Sequence, residues 1–154
     1  MNARQVQPSI VTTERVKEML DELGMRYGAT EDNGFILPYP SHYAVVTRGP
    51  SDTSGVWSVQ SHWMRKLDIS HMSAAKNQIQ RQAATEFAPK MTLQVADDGM
   101  IHFRAFWAFN WTPAATDDQM RDEFRFVMNS LTRTFKNLNK TFPDPWQEEG
   151  QELS

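Results

Sequence analysis

Seven apolar side chains, Met120, Phe124, Val127, Met128, Leu131, Phe135 and Leu138, recur at three- and four-residue steps near the end of a 154-residue chain. That spacing predicts one long helix with a continuous apolar stripe, and such a stripe is stable in water only against another apolar layer. Thr116-Asp-Asp-Gln119 ahead of it predicts a capping box, in which the threonine and glutamine side chains satisfy backbone N–H groups at the helix start. The chain must therefore supply a second layer, and the periodicity elsewhere says of what kind.

Residues 91–95 and 100–111 flank Asp97-Asp-Gly99, which predicts a hairpin. Phe103, Ala105, Trp107, Phe109 and Trp111 share one face of its second strand. Phe106 and Ala108 add apolar surface to the other, so part of this strand is expected to be covered on both sides, the second cover being one that a partner chain could supply. Over residues 56–64, Trp57, Val59, Ser61 and Trp63 alternate with Ser58, Gln60 and His62, predicting a strand with both tryptophans inward. Residues 42–48 are rich in β-branched and aromatic types and predict another. A strand is expected to start at residues 25–27, turn at residues 31–34 through Asn33-Gly34 and return over 35–37, with Pro38 and Pro40 breaking the pairing.

Two further helices are predicted. Thr12 or Thr13 caps the first, which places Val16, Met19, Leu20 and Leu23 on one face and stops at Gly24. Ser70 or Ser73 caps the second, whose weak apolar face is Ala75, Ile79 and Ala83. The expected fold is α+β: an antiparallel sheet with helices packed against it, in the order helix, strands, helix, β-hairpin, helix. One domain is expected over residues 12–142, after a loose lead-in at 1–11 and before an acidic tail at 143–154 that carries Trp146, Glu148, Glu149 and Glu152.

Hydrophobic residues at 40% and charged residues at 23% fit an ordinary globular core. The absence of cysteine excludes disulfides, thiolate zinc sites and a cysteine nucleophile. No secretory-type leader opens the chain, and no run approaches the roughly 20 apolar residues that cross a bilayer, so no membrane partner and a cytoplasmic location are expected. Two Asn-x-Thr triplets, at Asn110 and Asn139, are read as chance. A net charge of −3 argues against general nucleic-acid binding, which would call for a basic face.

The segment from Arg15 to Tyr27, Arg-Val-Lys-Glu-Met-Leu-Asp-Glu-Leu-Gly-Met-Arg-Tyr, the Pro89-Lys90 step into the hairpin and the closing amphipathic helix together resemble the YbjN family. Its members are labelled as proposed bacterial sensory transduction regulators, and the resemblance spans roughly residues 12 to 142. It implies a fold like that of type III secretion chaperones, often dimeric, and no settled activity. Asn77 and Gln80 stand where the family commonly carries several asparagines, so no residue role transfers to that helix.

No catalytic motif is found. The glycines are scattered at turns and helix ends, so no phosphate-binding loop exists, and no Gly-x-Ser-x-Gly elbow surrounds a serine. No cofactor, metal or catalytic residue is expected. By strand alternation, His62 and His102 share the polar sheet face with Gln60 and Arg104, which makes these four the candidate ligand site; a solvated sheet face explains the same residues. Arg121, Arg125, Arg133, Lys136 and Lys140 form a basic ridge on the last helix. With Asp117, Asp118, Asp122 and Glu123 at its start, this is the distribution that complements a helix dipole. Phe126 projects away from the apolar stripe, and with Phe106 it is the candidate protein interface. Trp57, Trp63, Trp107 and Trp111 are read as core. The expected role is non-enzymatic: a protein-interaction module, chaperone-like or regulatory, acting as a homodimer with a protein partner that the sequence does not name; the alternative is a small-ligand binder or enzyme on the polar sheet face.

Overall fold

The computed structural model describes residues 6–49 and 56–143; the turn-forming segment Gly49-Pro-Ser-Asp-Thr-Ser-Gly55, which the sequence predicts as a loop, and the acidic tail fall almost wholly outside them. Element order is α1 (Thr13–Glu22), β1 (Gly28–Ala29), β2 (Phe35–Pro38), β3 (His42–Arg48), β4 (Trp57–Trp63), a 3-10 turn (Ile69–His71), α2 (Met72–Thr85), β5 (Lys90–Val95), β6 (Ile101–Ala108) and α3 (Asp117–Thr141). The strands form one antiparallel sheet in the order β1-β2-β3-β4-β6-β5, so the α+β expectation holds. No helix among the described residues is long and apolar enough to cross a membrane.

Alternation sorts the strands into two faces. Phe35, Leu37, Ala44, Val46, Trp57, Val59, Trp63, Ile101, Phe103 and Ala105 face inward. They join Val16, Met19 and Leu20 of α1, Ala75 of α2 and all seven stripe residues of α3 in a single core. Thr116 and Gln119 form the expected capping box, with hydrogen bonds of 2.8 and 3.1 Å. All three helices thus add their apolar faces to one side of the sheet.

Four local expectations are corrected. The first strand lies at β1, not at residues 25–27. Gly24, at φ +67°, and Met25 close α1 by donating to Asp21 O and Leu20 O, so the Met25 N–H belongs to the helix end. Pro38 does not break the pairing: it ends β2 opposite Tyr43, on the side that short β1 leaves open, and Tyr39 N donates to His42 O at 2.9 Å to make the turn. Asp68, not Ser70 or Ser73, supplies the side-chain acceptor before α2, bonding Ser70 N at 2.8 Å. The buried face of α2 is Ala75, Gln78 and Gln82, while Ala83 is exposed, because Gln82 turns inward to bond Thr134 Oγ1 on α3 at 3.1 Å.

The chain ahead of α1 is pinned. Ser9 pairs with Ala115 through two backbone hydrogen bonds, Val11 is buried, and the Arg15 guanidinium donates to Ser9 O, Ile10 O, Ala115 O and Asp117 Oδ1. At the β1-β2 turn, a Cβ on Gly34 would lie 2.8 Å from Val46 O, so only glycine admits the close approach of β3. Strand β6 ends at Ala108, earlier than expected. Two residues on, the Glu123 carboxylate takes the Asn110 N–H at 2.9 Å and draws the chain toward α3.

Candidate functional site

The outward face of the sheet carries every sequence-selected polar candidate. Register sets Ile36, Val45, Gln60, Phe106 and Lys90 in one row, and Pro38, Tyr43, His62, Arg104 and Thr92 in the next. His102 lies in a further row, opposite Gln94. None of these residues belongs to the core, and each is exposed or half-buried, Phe106 at 41% and Ile36 at 42%. The expectation that the Phe106 side of β6 is covered is therefore not met within this chain, among the described residues.

His62 and Arg104 sit directly opposite one another, and the His62 ring stacks on Tyr43 with centroids 4.9 Å apart. Partial burial, then the nearby Arg104 charge, then His102, hold the His62 imidazole below its ordinary range. His102 turns instead to the hairpin tip, its Nε2 lying 3.1 Å from Asp98 Oδ2, and the same carboxylate oxygen takes Lys66 Nζ at 3.3 Å. The Asp98 carboxyl is held below the usual carboxylate range, first by the Met100 N–H. The four candidates are thus one neighbourhood with His102 drawn to its margin. No group of three or more metal-type side chains forms among the described residues.

The sheet face is not a recess. A cleft of about 730 Å³ lies at the foot of β4, lined by Trp63, Leu67, His71 and Phe142, with His102 on its wall; Gln60, His62 and Arg104 do not line it. A second, of about 610 Å³, follows the β1-β2 edge at Met25, Tyr27, Ile36 and Pro38. Acid-base chemistry needs polar groups converging on a bound substrate, and this face holds its polar groups apart on an open pleat.

A second surface lies across the molecule on α3. Phe126 is 49% exposed, and the two candidate interface rings do not share a surface: Phe106 is on the sheet's outer face, while α3 packs on its inner face. Near Phe126, Phe87 from the α2-β5 connection is 83% exposed and meets Trp107 at 5.6 Å, and the Trp107 indole donates to Glu123 at 3.0 Å. Glu123 and Phe126 are neighbours at i, i+3. Arg133, on the Phe126 face, pairs with Glu86 beside Phe87 at 3.0 Å. Trp107 was expected in the core and is half-buried, because β6 carries it to the end of the sheet under this connection.

Sequence reasoning missed His42 and Phe87. His42 is fully buried between Tyr39 and Phe135, both rings stacked on it at 4.5 Å, and burial pushes its imidazole down to about 4. Its alternation with Ala44 and Val46 was the available signal. Phe87 stands alone between a helix and Pro89, and only the packed chain brings it to Trp107.

An open antiparallel sheet with helices on one side makes this an α+β fold, the class that the sequence predicts. A solved structure that shares it is YbjN from E. coli, itself a proposed transcription regulator. It matches with a TM-score of 0.68 at 15% identity, covering 87% of this chain and 96% of that one. At that identity the likeness is one of fold. No protein-family model and no curated protein matches the chain.

Proposed function

We propose that the chain is a non-enzymatic protein-interaction module, regulatory or chaperone-like, that works in the cytoplasm as a homodimer. The observation that carries this reading is the exposed face of α3. Phe126 lies near its middle, with Asp122 on the N-terminal side and Arg133 and Lys140 on the C-terminal side, and the exposed Phe87 is tied to the same helix through Trp107 and its hydrogen bond to Glu123. Exposed aromatic rings of this kind anchor protein contacts. A second copy laid antiparallel sets each acidic half against the partner's basic half, so the face is complementary to itself, as a twofold contact requires. The regulatory side of the reading rests on the likeness in fold to YbjN, a proposed transcription regulator.

Light scattering tests it. The purified chain is expected at twice its own mass, and Phe126→Asp, which puts a charge at the centre of the contact, at the monomer mass. A wild-type monomer at micromolar concentration contradicts the reading, and so does a dimer indifferent to Phe126→Asp.

A further inference from the structure

None of the six strands contains an aspartate or glutamate, although the chain has 19 acidic residues against 16 lysines and arginines. The outward sheet face departs from the charge of the chain as a whole. Its permanent charges are Lys90 and Arg104, both exposed, on the two strands at one side of the sheet. Its rings are Phe106 and Tyr43, the latter 36% exposed and stacked on His62. Gln60 lies between the two rings, and Ser58, Thr92 and Gln94 border them, all with side chains that both donate and accept. The Asp98 carboxylate stands at the hairpin tip and is already engaged by Met100 N, His102 and Lys66.

We propose that this face binds a single-stranded polynucleotide, its bases stacked on Phe106 and on the Tyr43–His62 pair and its phosphates held by Arg104 and Lys90. Three features favour this occupant over an acidic peptide. Flat aromatic rings on an open sheet match the π-faces of unpaired bases, which an acidic side chain does not have. Phe106 and Tyr43 lie two strands and one row apart. At about 4.8 Å between strands and 3.4 Å per residue, this is a separation of roughly 12 Å, close to two nucleotides of an extended strand. The Gln60 amide between the rings both donates and accepts and can meet base edges of any identity, so the face suits binding with little sequence preference. The site is independent of the α3 contact and lies on the other side of the sheet.

Fluorescence anisotropy with a labelled single-stranded 12-nucleotide RNA of mixed sequence tests the site, with DNA of the same sequence, the corresponding duplex and a polyglutamate of equal length as competitors. The single strands are expected to compete, and the duplex and polyglutamate to do so at least tenfold more weakly. Phe106→Ala and Tyr43→Ala each lower affinity at least about fivefold, since each removes one stacking platform. Two phosphate contacts give a salt slope of about −1.4, or about a sevenfold loss for a fourfold rise in salt. Lys136→Gln, on the basic ridge of α3, leaves binding unchanged. Both ring substitutions replace exposed side chains, and two at separate positions guard against a local fault in either. No saturable binding overturns the proposal. Equal competition by polyglutamate together with indifference to both ring substitutions also overturns it and assigns the face to an acidic protein segment, and sensitivity to Lys136→Gln overturns it by moving the site to the helix ridge.

Discussion

Trp107 on β6 and Glu123 on α3 are joined by an indole N–H to carboxylate hydrogen bond of 3.0 Å, and the same carboxylate accepts from Asn110 N at 2.9 Å. One side chain therefore ends β6, fixes the angle at which the chain leaves the sheet and orients the ring on which Phe87 rests. The exposed Phe87 ring and the half-buried indole it meets depend on it.

Glu123→Ala leaves a half-buried indole N–H and a backbone N–H without their acceptor. A loss of about 1–3 kcal/mol is expected, read as a lowered urea midpoint with unchanged slope. Glu123→Gln retains an acceptor oxygen and should recover part of the loss.

His42 predicts a pH dependence. Its imidazole is neutral in the folded core, at about 4, and ordinary, near 6.5, when unfolded. Below about 6.5 the unfolded chain binds the extra proton, so stability is complete above that pH and falls as the pH drops toward 4. The loss should be on the order of 2–3 kcal/mol. His42 Nε2 is buried with no partner and the ring lies between two others. His42→Phe is therefore expected to remove most of this slope and to be more stable than wild type at pH 5, as thermal melts at pH 7 and 5 would record.

Arg15 binds three backbone carbonyls and Asp117 with one planar group. Lysine cannot reproduce that fork. Arg15→Lys should cost about 1–3 kcal/mol and, in hydrogen exchange, selectively expose the Ser9 and Ala115 amides that form the bridge.

Gln82 and Thr134 are both buried and bonded to each other at 3.1 Å. Gln82→Leu alone strands the threonine hydroxyl, and Thr134→Val alone strands the amide, so each should destabilise. The double variant should be closer to wild type than the sum of the two, a coupling of about 0.5–3 kcal/mol in a double-mutant cycle.

What was legible in the sequence is what one element carries by itself. The α3 stripe, its capping box, the Asp97-Asp98-Gly99 hairpin and the inward Trp57 and Trp63 follow from periodicity and turn chemistry, and all appear. The face that gathers Gln60, His62, Arg104 and Phe106 was legible too, because alternation is rigid within a strand. Features that depend on two elements were not. The start of β1 is set by which N–H groups the end of α1 consumes. The predicted α2 face of Ala75, Ile79 and Ala83 gives way to Ala75, Gln78 and Gln82, with Thr134 on α3 as the partner of Gln82. Phe87, Trp107 and Phe126 come from a connection, a strand and a helix, and no local pattern links them.

The pairing of α3 with a second α3 is tested most directly by a cross-link, which a chain without cysteine makes clean. Asn129 is exposed at the midpoint of the helix, where an antiparallel pair would bring the two copies closest. Under mild oxidation Asn129→Cys is expected to form a covalent dimer that Phe126→Asp suppresses, while Thr92→Cys on the sheet face stays monomeric. No cross-link at Asn129→Cys, or equal cross-linking at Thr92→Cys, would contradict a dimer built on α3.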